Sequence, residues 1–539
     1  MGTVAVAGGV CDRRAGDPAG GDRRVDAVVG VSAAPGCGGA GAARAGAAAD
    51  LRGVDGSVWP AWRFGGAAVQ NQTLRPVSVC IALAAVVPAW AFASTFELFG
   101  AGPRGTGLAG ALTAAAQGGE AAFHNPAMLL DSPLAGAWLG YGSQHSGLYV
   151  RQQRPVCTGS YVGCSAQHAD GFSARAAALP KNTEAYSLGW NYPLGGILRN
   201  RMAVGVALAL PNGHLIRISG PDPQAPSFPL YEGMSDRLAF LFALAGKLTD
   251  RVWLGLGVQV LASLNAEIDL RVNPTNHSMD RAAIGIGLEP RARLTAGLAA
   301  TPIPNVRLGL SFRQRISLSY GIPSQVAFGD HLALGIGLAH ETLFTPDTWN
   351  AGASFSPTSA LRLVVDATLA RWSQAPDPSP QVSLNVQGAV PQAFGLQDML
   401  DVGTDTPPLQ LGFRDTVSPA LGMEWRVVGD WQLRAAYRFR PSPAPRASGP
   451  FKYLDSDTHI GAAGISYRFG SLAPRLVAQL VQAQRQEGDT PGPLHVDLGL
   501  QLHAATRRLA IAGDPNDPVG SLEHGGQVWF ATLGFGGSF

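Results

Sequence analysis

The chain has 539 residues and a formal net charge of +2, and only 14% of its residues are charged, against about 25% in an ordinary soluble protein. So small a charge imbalance gives no reason to expect nucleic acid as a partner. Hydrophobic residues nevertheless reach 46%, and the one long apolar run, near residue 80, falls short of the ~20 residues of a spanning helix. A chain poor in charge and without spanning helices can carry its apolar surface in alternating strands; 69 Gly and 39 Pro suit many strands joined by turns.

Residues 1–73 are rich in Gly, Ala and Arg without hydrophobic period. They are predicted to be a non-native or disordered extension, unable to bury enough apolar surface to order itself. Residues 74–93 read as a secretory signal peptide: Arg75, an apolar run from Val77 to Val87, then Ala91-Phe92-Ala93 ahead of Ser94. Cys80 sits inside the apolar run, which excludes a lipoprotein signal. A signal normally opens a chain, so true initiation is expected near Val69 or Leu74; the other reading is a genuine disordered extension. Residues 94–133 do not alternate and carry Gly100, Gly102, Gly105, Gly107 and Gly110, followed by His124-Asn125-Pro126-Ala127. The spacing Gly100-x-Gly102-x-x-Gly105 matches a dinucleotide fingerprint, but no strand precedes it and no βαβ unit follows. Of five cysteines, Cys11, Cys37 and Cys80 would leave with processing. Cys157 and Cys164, close together in a polar stretch of an exported chain, are expected to form a loop disulfide; no His pair stands near to complete a metal site.

From residue 134 onward the dominant pattern is alternation. Val252, Leu254, Leu256, Val258, Val260, Ala262 and Leu264 alternate with polar or small residues such as Gly255, Gly257 and Gln259. Val306, Leu308, Leu310, Phe312, Ile316, Leu318 and Tyr320 alternate with Arg307, Gly309, Ser311, Arg313, Arg315, Ser317 and Ser319. Trp431 to Phe439 alternates with Gln432, Arg434, Arg438 and Arg440. Further runs cover Tyr186–Tyr192, Met202–Leu210, Leu238–Leu244, Leu421–Val427 and Trp529–Phe539. Each is ~10 residues long, which is what a tilted strand needs to cross a bilayer. Trp253, Tyr320, Trp372, Trp431 and Trp529 at strand ends are predicted to form interfacial girdles, with short turns such as Leu248-Thr249-Asp250 and Val428-Gly429-Asp430 on one side and long loops on the other. A secreted β-sandwich also alternates, but would carry more surface charge. The fold class is therefore an all-β transmembrane barrel over residues 134–539, and the aromatic Phe539 on an alternating last strand agrees with an outer-membrane barrel.

Several segments resemble the FadL family of outer-membrane transporters of long-chain fatty acids and other hydrophobic compounds. The glycine-rich stretch with Asn125-Pro126-Ala127 resembles the family's N-terminal hatch and is the most specific piece. Leu308-Gly309-Leu310-Ser311-Phe312-Arg313, Asp366 to Ser373, Phe413-Arg414-Asp415-Thr416 and Trp431-Gln432-Leu433-Arg434 follow in order, ending in Pro441-Ser442-Pro443-Ala444-Pro445. Leu369 departs from the family, which often has Trp there, and residues 487–518 are unusually rich in Gly, Asp and Pro, so strand boundaries there are open. The resemblance implies about fourteen antiparallel strands around a hatch at 94–133, in a Gram-negative outer membrane. It also implies capture of ligand in the extracellular loops, transfer to an interior pocket and sideways release into outer-membrane lipid, driven by the ligand's own gradient without cofactor. Phe96 matches an aromatic that occupies the interior site and yields to ligand; a packing role is the equal alternative.

Asn125, Pro126 and Ala127 are expected to fix how the hatch joins the wall. Arg307, Arg313, Arg315, Arg434, Arg438 and Arg440 would point inward if the greasy faces meet lipid. Of these, Arg313, Arg315 and Arg438 are the candidates for a fatty-acid carboxylate, since guanidinium binds carboxylate with paired hydrogen bonds. Pairing with acids of the plug or neighbouring strands is the blander reading for any one of them. Leu215, Ile216, Ile218, Phe228 and Leu230 within His214–Tyr231 suggest either a capture loop or a lipid-facing strand extension. No catalytic or metal residues are expected, and the chain is taken as monomeric. Rival functions are import of aromatic hydrocarbons, a barrel hydrolase (His145-Ser146 being the one suggestive pair) and an adhesin.

Overall fold

The computed structural model describes residues 96–153, 179–212, 226–232, 239–273, 278–328, 331–376, 381–393, 402–403, 411–445, 447–448, 452–469, 492–512 and 520–538. Cys157 and Cys164, and the residues read as extension and signal, lie outside these. Among the described residues, nineteen strands follow in chain order. They are β1 Gly136–Gln153, β2 Thr183–Pro193, β3 Met202–Pro211, β4 Ala239–Thr249, β5 Val252–Asn273, β6 Ser278–Ile303, β7 Val306–Arg313, β8 Ile316–Phe328, β9 Leu332–Thr345 and β10 Thr348–Phe355. They continue as β11 Leu361–Ala370, β12 Gln381–Gln387, β13 Val402–Gly403, β14 Thr416–Arg426, β15 Trp431–Arg440, β16 Ala447–Ser448, β17 Thr458–Phe469, β18 Leu494–Ala512 and β19 Ser521–Ser538.

Antiparallel pairing runs β1-β2-β3-β4-β5-β6-β7-β10-β11-β14-β15-β17-β18-β19 and returns to β1 through the register Gly136↔Ser538. This is a closed barrel of fourteen strands, and closure leaves no open edge. The other strands stand outside the ring: β8 and β9 fall between β7 and β10, β8 pairs in parallel with the far half of β5, and β12 extends from β9. The strand β18 runs unbroken through most of the stretch whose boundaries the sequence left open, with one bulge at Ala505/Arg508 against β19.

The outer face is apolar. Leu139, Leu254, Leu256, Leu308, Val365, Leu421, Leu498 and Leu533 are exposed on it, while their chain neighbours turn inward. A barrel that shows an apolar band outward and polar groups inward is built for a membrane. Trp349, Trp425, Trp431 and Trp529 are exposed outward. Trp253 is not: it is buried on the lumenal face, beneath the Arg307 guanidinium, and Trp372 lies on a short turn against the interior cluster. Neither belongs to a girdle. The tight turns after Thr249, Ile303 and Arg426 lie at the end where β1 starts and β19 finishes, which makes that end periplasmic and the opposite, long-looped end extracellular.

Residues 96–131 fold as short helical turns: Phe96–Phe99, Gly102–Gly107, Gly118–Glu120, Ala121–His124 and Pro126–Asp131. They touch strands on every side of the ring, from β2–β6 through β15 to β17–β19 and β1, so they lie within the lumen. Close approach is possible because the wall is bare there. A Cβ on Gly255, Gly297, Gly309 or Gly499 would collide with Ala127, Asn125, Thr113 or Pro103.

Candidate functional site

The lumenal segment is fastened to the wall by charge. Glu97 takes Arg313 Nη1 at 2.8 Å and is also paired with Arg293, which is itself held by Gln259 at 2.8 Å. Burial would raise the Glu97 carboxyl, but the guanidiniums of Arg313 and Arg293 more than offset it and hold it below the usual carboxylate range. Arg104 pairs with Glu120 and, at 2.8 Å, with Glu424 of β14. Glu424 also takes Arg434 at 3.1 Å and Arg362 at 3.3 Å, and Arg434 goes on to Asp497 at 2.7 Å. Asp131 meets Arg307 at 2.7 Å.

Asn125 is fully buried and joins segment to wall: its Nδ2 donates to Thr113 O (2.8 Å) and Leu298 O (3.1 Å), and its Oδ1 accepts from Ala127 N (3.1 Å). This caps the turn that Pro126 opens. His124 Nε2 accepts from Ala101 N at 3.2 Å, so that nitrogen carries no proton. Burial, and then the positive charge of Arg313, Arg104 and Arg438, hold its pKa well below the ordinary histidine value.

Two cavities flank this segment. The lower one, about 330 Å³, lies towards the periplasmic end among Arg104, Glu120, Arg434, His495 and Asp497. The upper one, about 170 Å³, combines apolar walls (Phe96, Phe123, Leu230, Trp372, Ile460) with hydroxyls and three guanidiniums, Arg313, Arg438 and Arg440. Phe96 is buried edge-on to Phe123 at 5.5 Å, and Phe123 lies under Arg313 at 3.9 Å. Above them Phe228, Leu230 and Tyr231 of the β3–β4 connection fold inward against Phe99 and Leu454. That connection is stitched to the β15–β17 connection by Ser227 N to Lys452 O and Leu454 N to Ser227 O. So the described part of the loop read as a capture site or strand extension is a cap over the lumen; its stretch at 213–225 lies outside the described residues.

The three guanidiniums differ. Arg313 answers Glu97, and Arg440 lies 3.3 Å from Asp455. Arg438 donates to Ala109 O at 2.7 Å and to Thr368 Oγ1 at 3.1 Å, but makes no ion pair among the described residues. Its carbonyl partner Ala109 sits at φ 50, a conformation disfavoured for a non-glycine residue. Buried hydroxyls of Thr345 and Thr348, also lining the cavity, have no hydrogen-bond partner among the described residues.

Arg315 is not in this site. The alternation read as one run from 306 to 320 changes phase at Gln314–Arg315: Ile316 and Leu318 are buried in the interior cluster, and Arg315 is exposed outside. Arg293, Glu97 and Arg104 were not singled out from the sequence; isolated charges in glycine-rich or strand segments give no sign of their partners. His145 and Ser146 face opposite ways on β1, and His145 meets Ser143 instead at 3.3 Å.

Residues 236–474 match the model of a family described as outer membrane protein transport protein (OMPP1/FadL/TodX). Alkane uptake protein A of Marinobacter nauticus is 23% identical over 295 residues, which is 51% of this chain and 58% of that protein. The chain thus spans little more than half the length of that curated relative. The crystal structure of a Pseudomonas aeruginosa FadL homologue superposes with a TM-score of 0.50 at 14% identity, covering 81% of this chain and 98% of that one. At that identity the likeness is one of fold.

Proposed function

From the match of residues 236–474 to the family described as outer membrane protein transport protein (OMPP1/FadL/TodX), we propose that this chain belongs to that family and imports hydrophobic compounds passively, with long-chain fatty acids as the leading substrate. The lumenal segment 94–133 acts as the hatch: it blocks free leakage, so a solute must first settle in the upper cavity. The observation that carries the fatty-acid reading is the Arg438 guanidinium, buried among the described residues without an acid in ion-pair contact, in a cavity that also presents apolar side chains and the unpartnered Thr345 and Thr348 hydroxyls. A buried guanidinium with no carboxylate in contact is costly, and a fatty-acid carboxylate would supply that contact. Phe123 and Ile460 would meet the alkyl chain, and Phe96 would move aside for it. Arg313 stays with Glu97 as a fastening. Ligand leaves sideways into outer-membrane lipid, and the chain works as a monomer.

A second reading is import of a neutral hydrocarbon, as for the alkane uptake relative or the aromatic-hydrocarbon branch of the family. The test is uptake of labelled oleate, hexadecane and toluene by cells that depend on this protein. Oleate taken up in preference to the other two is the expected result. Uptake of hydrocarbons alone would transfer the proposal to the second reading, and uptake of none would end both.

A further inference from the structure

The two ends of the lumen are charged differently. At the periplasmic end the lumen-facing rows of several strands finish in a basic residue. Arg201 continues the row of buried Ala203 just before β3, Lys247 that of Ala245 on β4, and Arg251 that of Trp253 just before β5. Farther round the ring, Arg362 stands two residues from buried Val364 on β11, Arg426 two from Glu424 on β14, and Arg468 two from Ser466 on β17. Strand side chains alternate, so a residue two places from a lumenal one points the same way. The ladders agree. Lys247 is in register with the lumenal Trp253, and its backbone N–H donates to Arg201 O at 2.8 Å. Arg426 is in register with Gln432, whose side-chain amide donates to Glu424 and accepts from Arg468 at 3.1 Å. At this end Leu248, Trp425 and Trp431 take the outer, lipid-facing side.

These basic side chains form a collar around the mouth beneath the lumenal segment. Among the described residues, the turns of this end carry only Asp250 and Asp430 as acids. Arg362 shares Glu424 with Arg104 and Arg434. Arg201, Lys247, Arg251 and Arg426 make no ion pair among the described residues. The extracellular end is balanced instead: Arg371 lies 3.9 Å from Asp415, and Arg507 lies 2.5 Å from Glu523. Like charges around a mouth with low-dielectric walls focus the field and draw anions in. The lipid of the inner leaflet surrounds the outer face, and the collar turns away from it, so its occupant comes from the aqueous periplasm. Opposite sides of a fourteen-stranded ring stand on the order of 20–30 Å apart. No single small anion bridges that span, whereas a chain bearing several carboxylates does. The lower cavity, about 330 Å³, adjoins the collar through Arg468 and Gln432 and gives an acidic side chain room beyond it.

We propose that the periplasmic mouth is a docking face for an acidic segment of a periplasmic protein: an extended stretch rich in Asp and Glu that lies across the mouth, under the lumenal segment. Charge complementarity sets its orientation and speeds its arrival. The docking face goes beyond the import reading and does not rest on it.

The probe is a fluorescent polyglutamate peptide, measured against the full chain in phosphatidylcholine nanodiscs. It is expected to bind with an affinity that falls as salt is raised, while polyglutamine does not bind. Arg201→Gln/Lys247→Gln/Arg251→Gln/Arg426→Gln should weaken binding by about tenfold or more, as several charge pairs are lost together. Arg201→Lys/Arg251→Lys/Arg426→Lys, which keeps the charge, and Arg315→Gln/Arg371→Gln, at the extracellular end, should bind as the wild type does. A glutamine variant that folds and still binds polyglutamate at full strength overturns the docking face. A photoreactive polyglutamate needs no variant: it should label the turns at 247–251 and 426–431, and labelling confined to other surfaces also overturns it. In discs that contain phosphatidylglycerol, loss of peptide binding, together with an enrichment of that lipid around the wild type which the glutamine variant lacks, would assign the collar to lipid headgroups and end the proposal.

Discussion

Arg434 and Arg438 stand four residues apart on one strand, both turned to the lumen, yet they sit in opposite electrostatic settings. Arg434 is held between Glu424 and Asp497. Arg438 leans on a carbonyl and a hydroxyl, without an acid in ion-pair contact among the described residues. Below, Arg104 and Asp131 of the lumenal segment find their opposites on the wall in Glu424 and Arg307, as a permanent joint requires. Above, one positive charge is left for a solute to answer. Burial alone therefore does not separate structural from functional arginines; the accounting of partners does.

The largest effect is expected below. Glu424→Ala would take a shared acid from Arg104, Arg434 and Arg362 at once, and removing one partner of a buried pair costs about 3–5 kcal/mol. The unfolding temperature in detergent should drop steeply; an unchanged value would mean that the joint is only decorative. The next effect sharpens the other half. Arg438→Gln should leave the unfolding temperature near that of the wild type and weaken oleate binding by about 1.5–3 kcal/mol, the worth of a hydrogen bond to a charged group, while hexadecane binding holds. Equal losses for both ligands would show that Arg438 shapes the cavity and reads no carboxylate. Gly297→Val pushes a side chain into Asn125, and overpacking of this kind costs about 1–3 kcal/mol. Protease sensitivity of the lumenal segment should rise.

The smallest effect is a pH dependence. His124 has a folded pKa well below the ordinary value, so below about pH 6.5 the unfolded chain binds a proton that the folded chain refuses. Stability is then complete above that pH and declines as pH falls below it. The fall in unfolding temperature between neutral and mildly acidic pH should be larger in the wild type than in His124→Gln; parallel curves would exclude this histidine as the cause.

Much of the wall was legible in the sequence because a strand's two-residue period survives in composition: Leu254 and Leu256 outside, Gly255 and Gly257 inside. The same rule failed at Arg315, since a period cannot report a phase change between two strands; Trp253 follows its parity inward, and the girdle expectation had set that parity aside. The site was legible only in part. Asn125 stood out by its motif, but the joints of Glu97 and Arg104 link residues hundreds of positions apart. Gly297 and Gly309 look like any small residue on a strand face until the segment they admit is in place.

The seal between β1 and β19 has a consequence for assembly. It zips Gly136 to Ser538 and continues to Gln153 and Ser521, partners almost a whole chain apart in sequence. Loop closure over such separations is slow, so the ring can shut only after the last strand has been delivered. Until then both margins offer unsatisfied backbone to any passing strand. The lumenal segment precedes β1 and must already be inside when the margins meet, which makes its correct seating a condition set before closure rather than after it.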